Sequence, residues 1–295
     1  MAHLDVVPAD TESFTFEQEG EIVRGRGVFD NKGPAAMLML LADALQKDRH
    51  GPTVKLFFTT DEEIGGETGA KRIASSSHMD NVFAIFIPDG GDYGHITCRE
   101  KGFIHLKLEI DGQSAHGARP WQGDNAITKA ICLYQDLEKL IKKHTRPDDE
   151  YWHATINLGY LSGGQAVNQV PGLASMGVDI RLTEQTDQTG LLEEIYDLVG
   201  QRARIVELST ASHVHTDEFH PLIQHYKKVM ERMTGQVIEF APDHGASDAK
   251  HFTGLNVPIW LQSPRGGGHH GKEEWADIDS MYKMINAWLT FIKEL

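Results

Sequence analysis

Residues 59–66 read Thr59-Thr60-Asp61-Glu62-Glu63-Ile64-Gly65-Gly66. Three carboxylates in a row follow a short apolar run, Val54-Lys55-Leu56-Phe57-Phe58, and precede two glycines. Like charge crowded at the end of a strand is unfavourable unless a cation sits there, and a bound divalent metal reverses that local charge logic. Other candidate donors stand at comparable places: His3-Leu4-Asp5, Asp30 after a glycine-punctuated stretch, Asp89 in Pro88-Asp89-Gly90-Gly91, and His269-His270 after three glycines. Imidazole nitrogens and carboxylate oxygens without a thiol suit Zn2+, with Co2+ or Mn2+ as alternatives. There are too many donors for one tetrahedral ion. Two ions about 3.5 Å apart, sharing one carboxylate, would use the set. His3 and Asp5 are two apart and share a face of an extended segment, so Asp5 can accept from the second imidazole nitrogen and orient the ring. Glu62 and Glu63 would point to opposite faces of a strand. If both serve one site, the chain must already have left the strand, which Gly65-Gly66 permits. They would then divide the work, one binding metal and the other staying free as general base.

The elements that must position these residues follow from periodicity. A strand ends at Val6-Val7, and residues 8–22 read as an acidic loop. Pro34 opens a helix over 35–46, as proline does in a first turn. A strand over 53–59, a helix over 67–77 and a continuous apolar strand over 82–87, the mark of burial on both faces, come next. That alternation predicts a mostly parallel α/β sheet. From 102 the pattern changes. An alternating strand over 103–111, a helix over 124–143, strands near 153–160 and 174–183, a helix over 191–201 and a strand over 204–208 give βαββαβ, the ferredoxin-like split order. This part is read as an inserted domain, 102–213, within a discontinuous domain of 1–101 and 214–295. The α/β pattern then resumes with a helix over 219–233, strands over 237–240 and 257–261, and a helix over 278–293. Ligands of open α/β sheets gather at the carboxyl ends of the strands, where the donors above lie.

Composition narrows the field. A formal charge of −15 over 295 residues argues against a nucleic-acid partner, whose phosphates need clustered Lys and Arg. No apolar run approaches the ~20 residues of a membrane span, and the first residues have neither the basic start nor the apolar core of a signal peptide. Two cysteines make no disulfide framework; Cys98 and Cys132 are read as core positions in a reducing, cytoplasmic setting. Sixteen histidines invite a search for metal ligands. Each candidate has a plainer reading when taken singly. Asp61-Glu62-Glu63 could be a solvated acidic turn, Asp30 a helix cap ahead of Pro34, Asp89 a turn residue, and His269-His270 a surface loop. His95, His244 and His251 are read as structural.

Taken in order, the motifs resemble the M20 family of metallopeptidases and amidohydrolases. His3-Leu4-Asp5-Val6-Val7-Pro8, Gly25-Arg26-Gly27-Val28-Phe29-Asp30-Asn31-Lys32-Gly33, Asp61-Glu62-Glu63, Asp89 and His270-Gly271-Lys272-Glu273-Glu274 are similar to its metal motifs. Ser114-Ala115-His116, Asn168-Gln169-Val170-Pro171, Asp179-Ile180-Arg181 and Gly245-Ala246-Ser247-Asp248-Ala249 also fit. Any one of these is weak; the ordered set is specific. The resemblance implies two Zn2+ per subunit, with Asp30 bridging, His3 and Asp89 on one ion, and Glu63 and His270 on the other. It implies that Glu62 is the general base, supported by Asp5. His116 would reach the active site of a partner subunit and help hold the substrate carbonyl oxygen. Asn168, Arg181, Gly245 and Ser247 would lie on the substrate side, with Arg181 suited to clamp a carboxylate. It also implies a zinc-exopeptidase-like catalytic domain, a lid domain and a homodimer joined through that lid. Family members normally carry a further segment ahead of the first metal motif, so relative to them the chain is expected to be N-terminally truncated.

The expected activity is hydrolysis of an amide or peptide bond beside a free carboxylate, in a small peptide. Asp rather than Glu at position 89 leans toward peptidase-type members. The alternatives are an N-acyl amino acid deacylase of the acetylornithine or succinyl-diaminopimelate kind, and an inactive dimeric relative that only binds ligand. The intact Glu62 and five-ligand set argue against the last.

Overall fold

The computed structural model describes residues 1–47, 51–145 and 151–295. Its contacts divide the chain into two units, Met1–Glu100 with Val214–Leu295, and Lys101–His213.

In the first unit the helices Lys32–Lys47, Pro221–Thr234 and Ile278–Lys293 bury their apolar stripes in one core. Pro34, Leu38 and Leu41 recur at helical spacing on the buried side of the first. That helix begins before the expected position 35, because proline lacks only an N–H that a first turn cannot satisfy anyway. Strand Ile85–Ile87 pairs in parallel with Ile259–Leu261. Phe86 and Trp260 face the helical core with Tyr226, Trp288 and Phe291, while Ile85, Ile87, Ile259 and Leu261 face a second cluster around Phe252. Both faces are therefore covered, as the continuous apolar run requires.

The expected single, mostly parallel sheet takes a different form. Three short parallel pairs, Ala2–His3 with Phe58–Thr59, Ile85–Ile87 with Ile259–Leu261, and His95–Ile96 with Glu239–Phe240, form separate ladders. Single links stitch them, such as Met1 N to Phe86 O at 2.9 Å and the Thr97–Leu261 bridge. The strand expected to end at Val6-Val7 is Ala2–His3; its ladder ends when Leu4 N donates to Thr59 O at 2.9 Å. The chain leaves because the Val7 amide donates to a Glu63 carboxylate oxygen rather than to a strand. Residues 8–22, read as loop, contain a strand: Glu17–Glu19 pairs with Ile22–Arg24 across Gly20, whose φ is +59°. All three residues of Glu17–Glu19 are exposed, so no apolar alternation reveals them. This hairpin continues through Trp275–Asp277 to Gly266–Gly267 as a four-stranded antiparallel sheet. Among the described residues, no helix is long and apolar enough to cross a membrane.

The second unit is a four-stranded antiparallel sheet in the order Arg204–Ala211, Gly102–Asp111, Leu173–Leu182, Thr155–Gly163. Helices Ala126–Lys143 and Gln188–Val199 complete a βαββαβ sequence. Ile104, Leu106, Leu108 and Ile110 pack with Leu133, Leu137, Leu191 and Ile195 of the helices. Asn125 and Asp187 start the two helices by accepting from Thr128 N and Thr189 N.

Cys98 is buried, but Cys132 is exposed, contrary to its reading as core. The buried stripe of Ala126–Lys143 runs through Ala126, Ala130, Leu133 and Leu137, and Cys132 falls beside it. Burial pushes the Cys98 thiol up to about 12. A disulfide-exchange reagent at pH 8 should therefore titrate one thiol per native chain and the second only after denaturation. Rapid reaction of both in the native protein would contradict this packing.

Candidate metal centre

Glu62 and Glu63 lie in a single 3-10 turn, Glu62–Ile64, that follows strand Phe58–Thr59. In such a turn successive side chains are roughly 120° apart, so neighbours need not point to opposite sides as they would in a strand. Gly65 closes the turn at φ +108°, and Gly66 at φ +72° passes so close that an added Cβ would lie 2.2 Å from Asp248 Oδ1. Asp61 belongs to the scaffold: its Oδ2 accepts from Thr68 N, Thr68 Oγ1 and Gly69 N at 2.8–2.9 Å. His251, read as structural, bonds through Nε2 to Gly65 O at 2.9 Å and so holds the same turn.

Around this turn five side chains converge. His3, Asp30 and Asp89 offer donor atoms within 4.8 Å of one another, and so do Asp30, Glu63 and His270. Asp30 belongs to both groups. Its Oδ1 lies 3.0 Å from His3 Nε2, and its Oδ2 lies 3.2 Å from His270 Nε2. His3 Nε2 is 3.6 Å from Asp89 Oδ2, and His270 Nε2 is 3.3 Å from Glu63 Oε2. The edge of a tetrahedron with bonds of about 2.0–2.1 Å is roughly 3.3–3.4 Å, so these spacings match those of ligands around zinc. The residues present therefore fit two ions with Asp30 between them.

The supports of these donors lie mostly in the backbone. His3 Nδ1 faces Asp5, 3.1 Å from its carbonyl and 3.4 Å from its Oδ1. Asp5 Oδ2 also accepts from Glu63 N at 3.0 Å, so one side chain steadies donors from two segments. Asn31 Nδ2 donates to Pro88 O at 2.8 Å and ties the Asp30 loop to the Asp89 loop. His270 sits at φ +61°, a conformation uncommon for a non-glycine residue and enriched at functional sites. Two residues earlier, an added Cβ on Gly268 at φ +72° would meet Glu273 O at 2.4 Å.

Sequence reading passed over two residues that hold the centre together. The Glu274 carboxylate accepts from Gly27 N, Phe29 N and Asp30 N at 2.9–3.0 Å and from Arg26 Nη1 at 2.7 Å. Arg26 Nη2 donates to Gly271 O at 2.7 Å, beside His270. Both side chains are about 2–3% exposed. The signal available was a lone Arg between glycines and a Glu four residues after His270, and nothing local joins them across the chain.

Burial raises the pKa of both glutamates, and their partners separate them. Glu63 accepts from Val7 N and faces His270. The Glu62 carboxylate makes no hydrogen bond or ion pair among the described residues. Burial, reinforced by Asp89 and Asp248 and opposed by His3 and Lys250, pushes Glu62 up to about 8. Asp89 is pushed up to about 7 by burial and its carboxylate neighbours. Burial opposes charge on His3, but the Asp30 hydrogen bond and nearby carboxylates outweigh it and raise it to about 10.

The remaining candidates are placed as follows. Ser247 donates its hydroxyl to Glu100 Oε2 at 2.9 Å and caps the turn Asp248–His251, and Gly245 N donates to Asp243 Oδ1. In the second unit His116 pairs with Gln169, and Gly117 N donates to Asn168 O at 2.6 Å. Arg181 Nε donates to Asp179 at 2.9 Å.

Two outcomes follow from this geometry. Glu274→Ala strips a buried partner from Arg26, which costs about 3–5 kcal/mol, and should release bound metal; chemical denaturation and metal analysis would read both. A variant that keeps full stability and stoichiometry would refute the clamp. In metal-free protein, Glu62, Asp89 and His3 all hold protons to higher pH in the fold than in the unfolded chain. The folded state then binds more protons, so stability falls as pH rises from 6 to 9. The buried Met1 amine, lowered by burial to about 5, runs the other way and is outnumbered. The urea midpoint of chelator-treated protein should drop across that range, and added Zn2+ should flatten the profile; a rising midpoint would overturn the reading.

Comparison with known proteins bears on this centre. Residues 1–294 match the model of peptidase family M20/M25/M40. A probable carboxypeptidase of Aspergillus terreus is 30% identical over 213 residues, 69% of this chain and 47% of that protein. One from Arthroderma benhamiae is 27% identical over 216 residues, 69% and 45% of the respective chains. The chain thus spans about half the length of the curated relatives it matches. Among solved structures, a tripeptidase from Staphylococcus aureus superposes with a TM-score of 0.81 at 18% identity, over 99% of this chain and 79% of that one. A metallo-carboxypeptidase from Sulfolobus solfataricus gives 0.78 at 18% identity, over 99% and 83%.

Proposed function

The chain belongs to peptidase family M20/M25/M40, and from that premise we propose that it is a di-zinc hydrolase cleaving the amide bond beside a free carboxylate in small peptides. The observation that carries the reading is Asp30, whose two oxygens face Nε2 atoms of two different histidines. His3, Asp30 and Asp89 would hold one ion, and Asp30, Glu63 and His270 the other. When bound, such a pair supplies Lewis acidity to the scissile carbonyl and lowers the pKa of water.

The chain's own residues supply the rest. Asp5 fixes the His3 ring. Glu62, whose carboxylate has no hydrogen-bond or ion-pair partner among the described residues, is suited to take a proton from the attacking water and pass it to the leaving amine. On the second unit, read as a lid, His116 would hold the carbonyl oxygen, and Asn168 and Arg181 would hold the substrate, with Gly245 and Ser247 lining the catalytic side. The edge strand Thr155–Gly163 has one described neighbour, which suits a homodimer built through that unit. Two unpaired cysteines fit a reducing cytoplasm.

A panel of dipeptides, tripeptides and N-acetyl or N-succinyl amino acids, assayed with Zn2+ or Co2+ alongside metal analysis, tests the proposal. Peptides should be the better substrates, with two ions per chain. Preference for acyl amino acids would move the chain to the deacylases, and fewer than one bound ion with no turnover would sink the enzyme reading. Glu62→Ala should lower kcat by about 10^2–10^4-fold, the usual worth of general acid–base catalysis, while keeping both ions. Glu63→Ala should lose metal. The reverse pattern would exchange their roles.

A further inference from the structure

The sheet of the second unit has two unlike faces. One packs on the helices; the other carries Phe103, His105, Lys107, Asp179 and Arg181 by strand alternation. Across the antiparallel ladder, Arg181 stands opposite Phe103, and Asp179 opposite His105. The four side chains close a ring. Phe103 and His105 stack with centroids 4.2 Å apart and planes 15° apart. Arg181 Cζ lies 5.6 Å over the Phe103 ring. Arg181 Nε donates to Asp179 Oδ1 and Oδ2 at 2.9 and 3.1 Å, and His105 Nε2 lies 3.2 Å from Oδ1.

An arginine beside a carboxylate ordinarily offers its fork, two parallel N–H groups. Here the carboxylate is met by Nε, and among the described residues the Nη groups of Arg181 have no acceptor within hydrogen-bond distance. His105 explains the arrangement. It takes Asp179 Oδ1 from the other side and keeps the carboxylate from sliding toward the Nη groups. Phe103 fixes the guanidinium plane from below. The next cation on this face, Lys107, is committed to Glu207 at 2.6 Å. Asn157 and Ser209, the cross-strand neighbours of Asp179 and His105, bring no competing charge.

We infer that His105 is a positioning residue: it holds Asp179 on Nε of Arg181 so that the Nη fork stays open for the carboxylate of a substrate. The inference rests on the reading of Arg181 as a substrate contact and adds what keeps that contact available.

The test compares the panel's best dipeptide with its C-terminal amide. His105→Ala should raise KM for the free dipeptide by about tenfold, the loss expected when a hydrogen bond to a charged group is spoiled, with kcat nearly unchanged and the amide unaffected. His105→Gln, whose amide can still donate to Asp179, should restore KM. In an Arg181→Gln background, His105→Ala should add nothing. If Arg181→Gln leaves the preference for the free carboxylate intact, the Arg181 reading fails. If Arg181→Gln abolishes that preference but His105→Ala does not weaken it, the role of His105 is overturned by itself. A second measurement needs no turnover. Phenylglyoxal should modify Arg181 several-fold more slowly in His105→Ala than in the parent or His105→Gln, as read by mass spectrometry of the peptide carrying it. Equal rates would overturn the proposal.

Discussion

The buried pair between Arg26 and Glu274 is the constraint on which the metal centre depends. A carboxylate this deep costs several kcal/mol to desolvate unless its lone pairs are used. Glu274 uses them on Arg26 and on the amides of Gly27, Phe29 and Asp30 in one loop. Arg26 passes the restraint to Gly271, next to His270. Two donors 240 residues apart in sequence are thus fixed against one another by a single ion pair. The pair is worth little as net stabilisation; its value is that the loop has few other places to go.

The centre it supports is internally opposed. Four carboxylates crowd two histidines; burial holds Glu62 and Asp89 at about 8 and 7, while the Asp30 hydrogen bond and the neighbouring carboxylates draw His3 up to about 10 against its burial. The donor spacings of 3.0–3.6 Å match the edges of a zinc tetrahedron. The fold resists relaxing these contacts because the donors hang from tight turns. Gly66, Gly268 and the positive φ of His270 leave the backbone few other routes. Strain and charge are stored at the same place, which is where a metal would release the second and justify the first.

The second unit solves a different problem by the same means. One face of its sheet is spent on the helix core, and the other is free to carry polar side chains. Cross-strand register alone brings Phe103, His105, Asp179 and Arg181 into a ring. A carboxylate that could have consumed the arginine is shared with a histidine instead.

Much was legible in the chain itself. Helical stripes, the two-faced apolar strand at 85–87 and the βαββαβ order follow from periodicity, because burial on one face imposes its period on local sequence. The donor residue types were legible as short motifs in chain order. Other features were not. The hairpin at 17–24 is exposed and leaves no apolar trace. The two-residue pieces His95–Ile96 and Gly266–Gly267 are too short to register as strands, and Cys132 differs from a core position only by its angle round a helix. Nor could any local pattern say that Asp30 would face two histidines, that Glu63 would be engaged and Glu62 left free, or that Glu274 would anchor the loop. Those depend on contacts between segments far apart in sequence. Sequence determined which groups were available and the elements that carry them; only the tertiary fold, by excluding water and closing long loops against one another, decided which groups meet.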